Sequence, residues 1–487
     1  MSIRVRDTLS GERAEVGRDG SIGLYICGPT VYDHIHIGNA RAPIFWDSVV
    51  RYLRGRGYAV RHVQNITDIE DKIINRAAGE GVSWKEIVAR YTDSFHATLD
   101  LMGVALPDVE PRATGHVPEM ISLIEELAER GHAYAPGNGD VYFAVESYPE
   151  YGALSKQRAD EMRESETLPG GVEPGVTESK RSPLDFTLWK SSKPGEPSWE
   201  SPWGAGRPGW HLECSAMVGE HLPGGADIHG GGSDLRFPHH ENELAQSRCA
   251  HPELTFVRAW AHHGMVGFSE GKMAKSTGNI LAVDEVVGRH GRNALRMWIL
   301  QSHYSQPIEY SEEILAEKRR SYVRLMRLYR QVSVAEESSE LSDKLAEGLR
   351  RRFDEAMADD LNTPDALAAV FEAARRAGQE LSARSGAARK LASLKATLEE
   401  TFFALGFDLG EEFAQHVNVE DNILGFGVQV RFEEHPGQEI LHRVALRHRA
   451  REERDFGTAD RLRDELAAEG WTIEDAPEGP FVGRSGG

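Results

Sequence analysis

Short apolar runs and helical patterns alternate along the first part of the chain. Residues 22–26 and 58–64 are predicted to be strands because they are short and largely apolar or β-branched, and residues 44–53 between them have helical spacing. A strand, a helix and a second strand in this order begin a doubly wound parallel sheet. The pattern therefore predicts a Rossmann-like α/β domain, in which ligands bind beyond the carboxyl ends of the strands.

The pattern changes after this region. Helical spacing over residues 118–131 and a predicted strand at 140–144 give way to residues 151–209, which lack periodicity and are rich in Gly, Pro and charged residues. This composition favours loops. We therefore predict a catalytic domain over residues 1–300 that is split by an insertion at about 115–205.

Helical patterns dominate the following part of the chain, to about residue 405. One predicted helix has an apolar stripe with i, i+3, i+4, i+7 spacing and a separate basic face. The stripe is Tyr322, Leu325, Met326 and Tyr329, and the basic face is Arg320, Arg324 and Arg327. We predict an α-helical bundle over residues 301–410 and a small C-terminal α/β domain over 411–487. Residues 411–438 fit no pattern that we can interpret.

Polar residues are concentrated where the first two predicted strands end. Cys27, His34, His36 and Asn39 follow the first strand and precede a helix, whose N-terminus together with backbone N–H groups can hold phosphate. The alternative is that Cys27 packs in the core and that the histidines are surface residues. Thr67 and Asp68 follow the second strand. They either contact a substrate or cap the next helix, and capping is the more common role.

Further polar residues follow the predicted strand at residues 226–229. A glycine-rich turn leads to Asp234 and then to a predicted helix, on which His239 and Glu243 are four residues apart and share one face. Together with Cys27 and Cys214 they form a donor set that suits Zn²⁺.

Other assignments of these residues are open. Spacing does not show that the two cysteines meet, and free cysteines are often small buried hydrophobes. His240 and Glu241 are rival ligands by composition, but on a helix they leave on other sides. Cys249 is assigned to packing.

A glycine-flanked segment, residues 271–279, contains Lys272 and Lys275. Lysines on such a loop can fold over a polyphosphate and neutralise charge that develops during displacement. Paired surface lysines are, however, usually only solvated.

Composition limits the function further. The chain has 487 residues, a formal charge of −21 and three cysteines, and no apolar run approaches the length of a membrane helix. These properties argue against a disulfide framework, a membrane protein and an indiscriminate nucleic-acid coat protein, and we expect a cytoplasmic protein. A basic cluster near the end can contact phosphates, or it can be a solvated helix balanced by Glu452 and Glu453. The cluster consists of Arg443, Arg447, Arg449, Arg451 and Arg454.

Four dispersed motifs in register give the chain a resemblance to a known family. CGPTVYDHIHIGNAR, GRPGWHLECSAM, DIHGGGSDLRFPHHENELAQS and GKMAKSTGN resemble the motifs of cysteinyl-tRNA synthetases, which are class I aminoacyl-tRNA synthetases. His36-Ile37-Gly38-Asn39 is similar to the HIGH motif of the class, and residues 272–276 are similar to its KMSKS loop. The chain departs from these motifs at Asn39, in place of the second His, and at Ala274, in place of the first Ser. An amide can still donate to phosphate, so we expect activity to survive the first departure. The second removes one hydroxyl and keeps both lysines, so we expect it to affect the stability of the loop more than the chemistry.

The resemblance implies a site with assigned roles. It implies one Zn²⁺ bound by Cys27, Cys214, His239 and Glu243. L-cysteine would bind through its thiol, near Cys27, Trp210 and Thr67. ATP with Mg²⁺ would bind at His36, Asn39 and Asp234, with Lys272 and Lys275 stabilising the departing pyrophosphate.

The resemblance also implies the partners and the nearest alternatives. The acyl group would pass to tRNA(Cys), bound by the helical bundle and by the small C-terminal domain as the anticodon-binding part, and the protein would be a monomer. The departures from the family at Pro480-Phe481-Val482 leave the anticodon contacts open. One rival is a ligase that joins cysteine to an amino sugar, and another is a catalytically silent RNA-binding paralogue. Intact lysines and ligand candidates argue against the second.

Overall fold

The computed structural model describes residues 2–17, 19–157, 179–268, 281–383, 387–410, 415–421, 426–432, 436–475 and 480–484. The chain forms two compact units, Met1–Asp408 and Leu409–Gly487. Strands of the first unit are β1 (Ile3–Arg6), β2 (Arg13–Val16), β3 (Ser21–Ile26), β4 (Ala59–Gln64), β5 (Ala133–Tyr134), β6 (Val141–Phe143), β7 (Phe186–Ser191), β8 (Gly206–Pro208), β9 (Ala226–Gly232), β10 (Val257–His263), β11 (Val266–Phe268) and β12 (Ile308–Tyr310). Its helices are α1 (Arg41–Gly55), α2 (Asp71–Glu80), α3 (Trp84–Leu101), α4 (Val117–Glu129), α5 (Trp210–His221), α6 (Glu241–Ala250), α7 (Val283–His290), α8 (Arg292–Leu300), α9 (Glu312–Val332), α10 (Glu340–Ala358), α11 (Thr363–Ala383) and α12 (Ala392–Leu405).

A four-stranded parallel sheet of order β10-β9-β3-β4 forms the centre of the first unit. Helix α1 connects β3 to β4, so the predicted Rossmann-like α/β fold is confirmed. Strand β9 continues through Gly230, where a turn was predicted. A Cβ at Gly230 would lie 2.4 Å from the Trp46 ring and 2.5 Å from Ile26 Cδ1. Glycine is therefore required there for close packing of β9 against Trp46 of α1 and Ile26 of β3, rather than for a turn.

A second, antiparallel sheet of order β5-β6-β7-β8 lies in the region that we predicted to be an insertion. The prediction that residues 151–209 are loops is wrong for β7 and β8. Glycine and proline were taken as loop signals, but Gly206 is a sheet residue whose added Cβ would lie 2.3 Å from Trp189 Nε1. Leu188 and Trp189 of β7 pack in an apolar cluster with helix α4.

Helices α9–α12 follow the sheet domains and form the predicted bundle. Tyr322, Leu325 and Met326 of α9 are buried, whereas Tyr329 is half-buried and donates a hydrogen bond to Glu399. The opposite face is polar, with Arg320 and Arg324 exposed. The i, i+3, i+4 spacing therefore located the core face of this helix.

The second unit is a small α/β structure. It contains β13 (Gln415–Asp421), β14 (Phe426–Phe432), α13 (Gln438–Glu452), α14 (Phe456–Ala468), β15 (Trp471–Glu474) and β16 (Phe481–Arg484), with sheet order β13-β14-β16-β15. Residues 411–438, which the sequence left without interpretation, supply β13 and β14. The core includes Val430, Leu441, Val444 and Leu466. No helix in the described parts of either unit is long and apolar enough to cross a membrane.

Candidate active site and metal centre

The four predicted zinc ligands come from four places in the sequence and meet at one point. Cys27 follows β3, Cys214 lies on α5, His239 precedes α6 and Glu243 lies in its first turn. Their candidate ligand atoms all lie within 4.8 Å of one another. The Sγ atoms of Cys27 and Cys214 are 3.7 Å apart, and Cys27 Sγ is 3.7 Å from Glu243 Oε1. His239 Nε2 is 3.1 Å from the same Glu243 oxygen.

These separations fit a tetrahedral cation. Two thiolates bound to one Zn²⁺ at about 2.3 Å each are roughly 3.7 Å apart. The carboxylate gives a second indication, since Glu243 Oε2 is buried and accepts no hydrogen bond from the described residues. Buried polar atoms are normally paired, so an unpaired carboxylate oxygen beside two thiols suits a bound cation. The residues therefore fit Zn²⁺.

Burial controls the protonation of these groups. Loss of hydration raises the pKa of the Cys27 thiol and of the Glu243 carboxyl well above their usual values, and it lowers the pKa of His239 well below its usual value. All three shifts favour the uncharged form. Neutral imidazole is already the ligand form, whereas a divalent cation stabilises the thiolate and the carboxylate and so reverses the shift.

His240 and His229 also reach the cluster. Their Nε2 atoms lie 3.2 and 3.4 Å from Cys27 Sγ, and with Glu243 they form a second possible ligand group. The prediction that His240 leaves on another side is wrong. His240 and Glu243 are three residues apart, a spacing that also places two side chains on one helix face, and His240 Nε2 is 3.9 Å from Glu243 Oε1.

His229 was missed by sequence reasoning. Its position in β9, beside β3, was the available signal, since adjacent parallel strands place their carboxyl ends together. The other two assignments agree with the structure. Glu241 turns away and accepts hydrogen bonds from the backbone N–H groups of Gly152 and Ser155. Cys249 packs in an apolar cluster.

Trp210 and His211 lie next to the candidate ligand His239. The Trp210 ring stacks on the His239 ring with centroids 4.3 Å apart, and Trp210 is 36% exposed. His211 Nδ1 lies 3.1 Å from His239 Nδ1, so His239 directs its other nitrogen, Nε2, at Glu243. Such outer partners fix the ring orientation of a ligand histidine.

Thr67 is a buried member of a hydrogen-bond network. Its hydroxyl donates to Glu213 Oε2 at 3.1 Å and accepts from Asn65 Nδ2 at 3.2 Å. The expectation that Thr67 or Asp68 caps the next helix is wrong, because Glu70 caps α2 through the N–H of Lys72. The hydroxyl of Thr67 therefore bonds to Glu213 of α5 and does not cap the next helix. Contact between Thr67 and a substrate stays a prediction.

The His36–Asn39 loop presents polar groups in front of α1. His36 Nδ1 accepts the N–H of Gly38 at 3.1 Å, so the neutral ring carries its proton on Nε2. Asn39 Oδ1 accepts the N–H of His36, which leaves its amide N–H groups as the donors. Ile37 N–H donates to Leu281 O, so this loop is joined to the segment that follows residues 269–280.

The remaining predicted nucleotide-binding residues are differently placed. Asp234 is exposed just beyond the end of β9. Lys272 and Lys275 lie outside the described residues.

Arg41, the first residue of α1, is buried and donates to Gly264 O at 2.7 Å and His303 O at 3.1 Å. Burial lowers its pKa to about 10, so it stays charged at neutral pH and ties α1 to the turn between β10 and β11.

The basic cluster of helix α13 is paired with carboxylates. Arg443 contacts Glu469, and Arg449 contacts Glu453. Arg447 makes a two-pronged contact with Asp475 at 2.5 and 3.0 Å, and Arg451 binds the same carboxylate. Local balance by acidic residues is therefore seen for these four arginines, with Glu453 as one of the two carboxylates that the alternative named. Contact between the cluster and phosphates stays a prediction.

Comparison with known proteins assigns the chain to a family. Residues 13–320 match the model of the tRNA synthetase class I (C) catalytic domain, and residues 352–410 match the DALR domain. A cysteine–tRNA ligase of Rubrobacter xylanophilus is 63% identical and covers 99% of this chain and 100% of its own length. One of Alkalilimnicola ehrlichii is 46% identical over 97% of each.

Solved structures agree on the fold. The Mycobacterium tuberculosis methionyl-tRNA synthetase in complex with methionyl-adenylate superposes with a TM-score of 0.58 at 19% identity, covering 79% of this chain and 89% of that one. This likeness concerns the fold alone, whereas the full-length identities above concern the sequence. The chain therefore belongs to the cysteine–tRNA ligase family of class I aminoacyl-tRNA synthetases.

Proposed function

We propose that this protein activates L-cysteine with ATP to cysteinyl-adenylate and transfers the cysteinyl group to the 3′ end of tRNA(Cys). The observation that carries the proposal is the convergence of Cys27, Cys214, His239 and Glu243 within 4.8 Å, in a chain 63% identical to a cysteine–tRNA ligase. These four residues would hold Zn²⁺. When bound, Zn²⁺ supplies a soft Lewis acid that prefers the thiolate of cysteine to the hydroxyl of serine.

Selectivity at this position needs more than shape. A pocket that distinguishes side chains by one small group gains only about 1–3 kcal/mol. The cluster residues are largely buried, which keeps competing water away from the thiol position and strengthens electrostatic contacts. Trp210, stacked on His239, is placed to bound the side of this pocket.

Adenylate formation needs positioning and charge stabilisation rather than a general base. The carboxylate of free cysteine is already ionised at neutral pH, so it attacks the α-phosphorus directly. His36 donates from Nε2 and Asn39 from its amide to the ATP phosphates, while Asp234 accepts the ribose hydroxyls. Lys275 and Lys272, with Mg²⁺, stabilise the charge that develops on the pyrophosphate.

The tRNA acceptor would bind to the parts of the chain that follow the catalytic domain. We propose domain boundaries near residues 300 and 410, with the helical bundle binding tRNA and the C-terminal part contributing to anticodon recognition in a monomer. The DALR match over residues 352–410 supports an RNA acceptor over an amino sugar.

The decisive experiment compares acceptors and then removes one lysine. We expect cysteine-dependent ATP–pyrophosphate exchange and charging of tRNA(Cys), with no transfer to an amino sugar. Lys275→Ala should lower exchange on the order of 100-fold, because a donor to the developing charge is lost, and should leave zinc content unchanged. Lys344→Ala, at an exposed position of α10, is the control.

Three results would contradict the proposal. Absence of exchange would favour the silent paralogue, transfer to an amino sugar would favour the other ligase, and normal exchange in Lys275→Ala would remove the role of that lysine.

A further inference from the structure

Tyr25 lies in β3, two residues before the candidate ligand Cys27, and points to the same face of the sheet. The N–H of Cys27 donates to Gly230 O at 3.0 Å, so the pairing of β3 with β9 extends to Cys27. Residues two apart on an extended strand share one face. His229 is paired with Tyr25 in the register of the two strands, and the centroids of their rings are 5.0 Å apart. Tyr25 therefore belongs to the face that carries the metal cluster.

Helix α5 covers this side chain. Tyr25 shares one buried cluster with Cys214, Met217 and Val218, whose i, i+3, i+4 spacing places them on one face of α5. Tyr25 itself is fully buried. Its ring therefore packs against the helix that supplies the second candidate thiol.

The hydroxyl of Tyr25 is buried and has no hydrogen-bond partner among the described residues. Native proteins pair nearly all such groups, so this hydroxyl needs a partner. Loss of hydration, and after it the nearby Cys214 and Cys27 thiols and the Glu243 carboxyl, raises the pKa of the Tyr25 phenol well above its usual value. The hydroxyl is therefore a protonated donor, and the groups around it are candidate metal ligands.

The two candidate thiols differ in the polar groups beside them. Imidazole nitrogens of His240 and His229, which can donate, lie 3.2 and 3.4 Å from Cys27 Sγ. Cys214 Sγ instead lies 3.8 Å from Asn65 Oδ1, an amide oxygen, which accepts hydrogen bonds and does not donate them. In the described part of the chain, a deprotonated Cys214 therefore lacks the kind of donor that Cys27 has.

The charge of the site explains why such a donor matters. Metal ligands bind in the deprotonated form, so two thiolates and a carboxylate leave a Zn²⁺ site with one net negative charge. A substrate thiolate adds a second negative charge in a buried place, where charge is costly. We propose that the Tyr25 hydroxyl donates a hydrogen bond to the Cys214 thiolate, which draws electron density from the sulfur and favours binding of the substrate thiol to the metal. Tyr25 is then a positioning residue, and this role rests on the proposed function because it needs zinc in the site.

Cobalt substitution measures the electron density on the ligand sulfur. Thiolates bound to Co²⁺ give a charge-transfer absorption band, whose energy falls when the sulfur holds its electrons less tightly. Tyr25→Phe keeps the ring and removes the donor, so the band of the Co²⁺-loaded full chain should move to longer wavelength. Tyr142→Phe is the matched control, because Tyr142 is also buried and its hydroxyl donates to Asp140, in the antiparallel sheet region. The band of this control should equal that of the wild type.

A second measurement tests the effect on substrate binding. L-cysteine is titrated into the same three Co²⁺-loaded chains, and the charge-transfer band reports binding. The affinity should be about 10-fold weaker in Tyr25→Phe than in the wild type and in Tyr142→Phe, which is the scale of outer partners of metal ligands. All three chains should bind one Co²⁺ at saturating metal.

The outcomes distinguish this role from the proposed function. An unchanged band in a Tyr25→Phe chain that binds Co²⁺ would exclude the hydrogen bond, and an unchanged affinity for L-cysteine would exclude its effect on the substrate. Loss of Co²⁺ from Tyr25→Phe alone would show that Tyr25 maintains the fold of the site and does not tune the sulfur. A wild-type chain that binds neither zinc nor cobalt would overturn the proposed function, and the role of Tyr25 with it.

Discussion

The metal-ligand cluster around Cys27 and the arginine cluster of α13 differ in how their polar groups are partnered. In the first, two thiols and a carboxylate converge with imidazoles whose pKa values burial lowers, and Glu243 Oε2 accepts no hydrogen bond from the described residues. In the second, each of four arginines has a carboxylate within 4 Å, and Arg447 makes a two-pronged contact with Asp475.

This difference shows what a concentration of functional residue types means. Both clusters were candidate sites in the sequence, and composition did not separate them. Folding separates them, because it pairs the arginines with local carboxylates and brings the thiols together with neutral imidazoles. A cluster indicates a ligand where its polar atoms stay unpaired after burial.

The largest expected effect comes from removing a thiol of the metal cluster. Outer-shell partners already contribute roughly 10–100-fold to metal affinity, so Cys214→Ser should lower zinc affinity by at least about 100-fold and impair cysteine activation. Cys249→Ser is the matched control, since that thiol is also buried but packs in an apolar cluster. Zinc content by elemental analysis measures both, and full zinc in Cys214→Ser would exclude this ligand.

A smaller effect should separate the two ligand groups. His239→Ala removes a proposed ligand and should lower zinc affinity by about 100-fold. His240→Ala removes a neighbour that is held by His262, with 2.8 Å between His240 Nδ1 and His262 Nε2, and should cost about 10-fold. Competition with a zinc chelator measures both affinities. The reverse order would assign the metal to Cys27, His229, His240 and Glu243.

In the arginine cluster, the expected changes are in stability. Arg447 has 5% of its side chain exposed and Asp475 has 32%, so Arg447→Met removes a partly buried ion pair and should destabilise the second unit by about 1–2 kcal/mol. Arg449→Met breaks an exposed i, i+4 pair and should cost about 0.3–0.5 kcal/mol. Hydrogen exchange of the α13 amides in the full chain reports both. Equal effects would show that burial of Arg447 adds nothing.

The smallest effect is a pH dependence in the same unit. The hydrogen bond and charge of Arg447 lower the pKa of Asp475 below its usual value. A lowered pKa means that this contribution is complete above the unfolded-state pKa of about 4 and is lost as pH falls through the lower folded value. Hydrogen-exchange protection of α13 should therefore fall in acid, and Asp475→Asn should reduce this dependence. An unchanged acid profile in that variant would assign the effect to other carboxylates.

The sequence by itself determined part of the local structure and the family of this protein. Apolar spacing located β3, β4, α1 and the core face of α9. The direction of each side chain in a helix or strand repeats with a fixed period, so neighbouring residues in the sequence are enough to show which face is apolar. The dispersed motifs indicated the family, and the resemblance to that family implied the four metal ligands. Cys27 and Cys214 are separated by 187 positions along the chain, so the sequence did not determine whether these ligands meet in space.

Only the tertiary structure decided which side chains share a site and which are paired. In the folded chain His229 and His240 lie next to Cys27, and Thr67 donates a hydrogen bond to Glu213 of α5. The glycines at the end of β9 pair with β10 as strand residues, and arginines of α13 pair with carboxylates. The physical reason is common to all of these. Each depends on groups brought together across the fold, and burial makes their pairing decisive by removing water as the alternative partner.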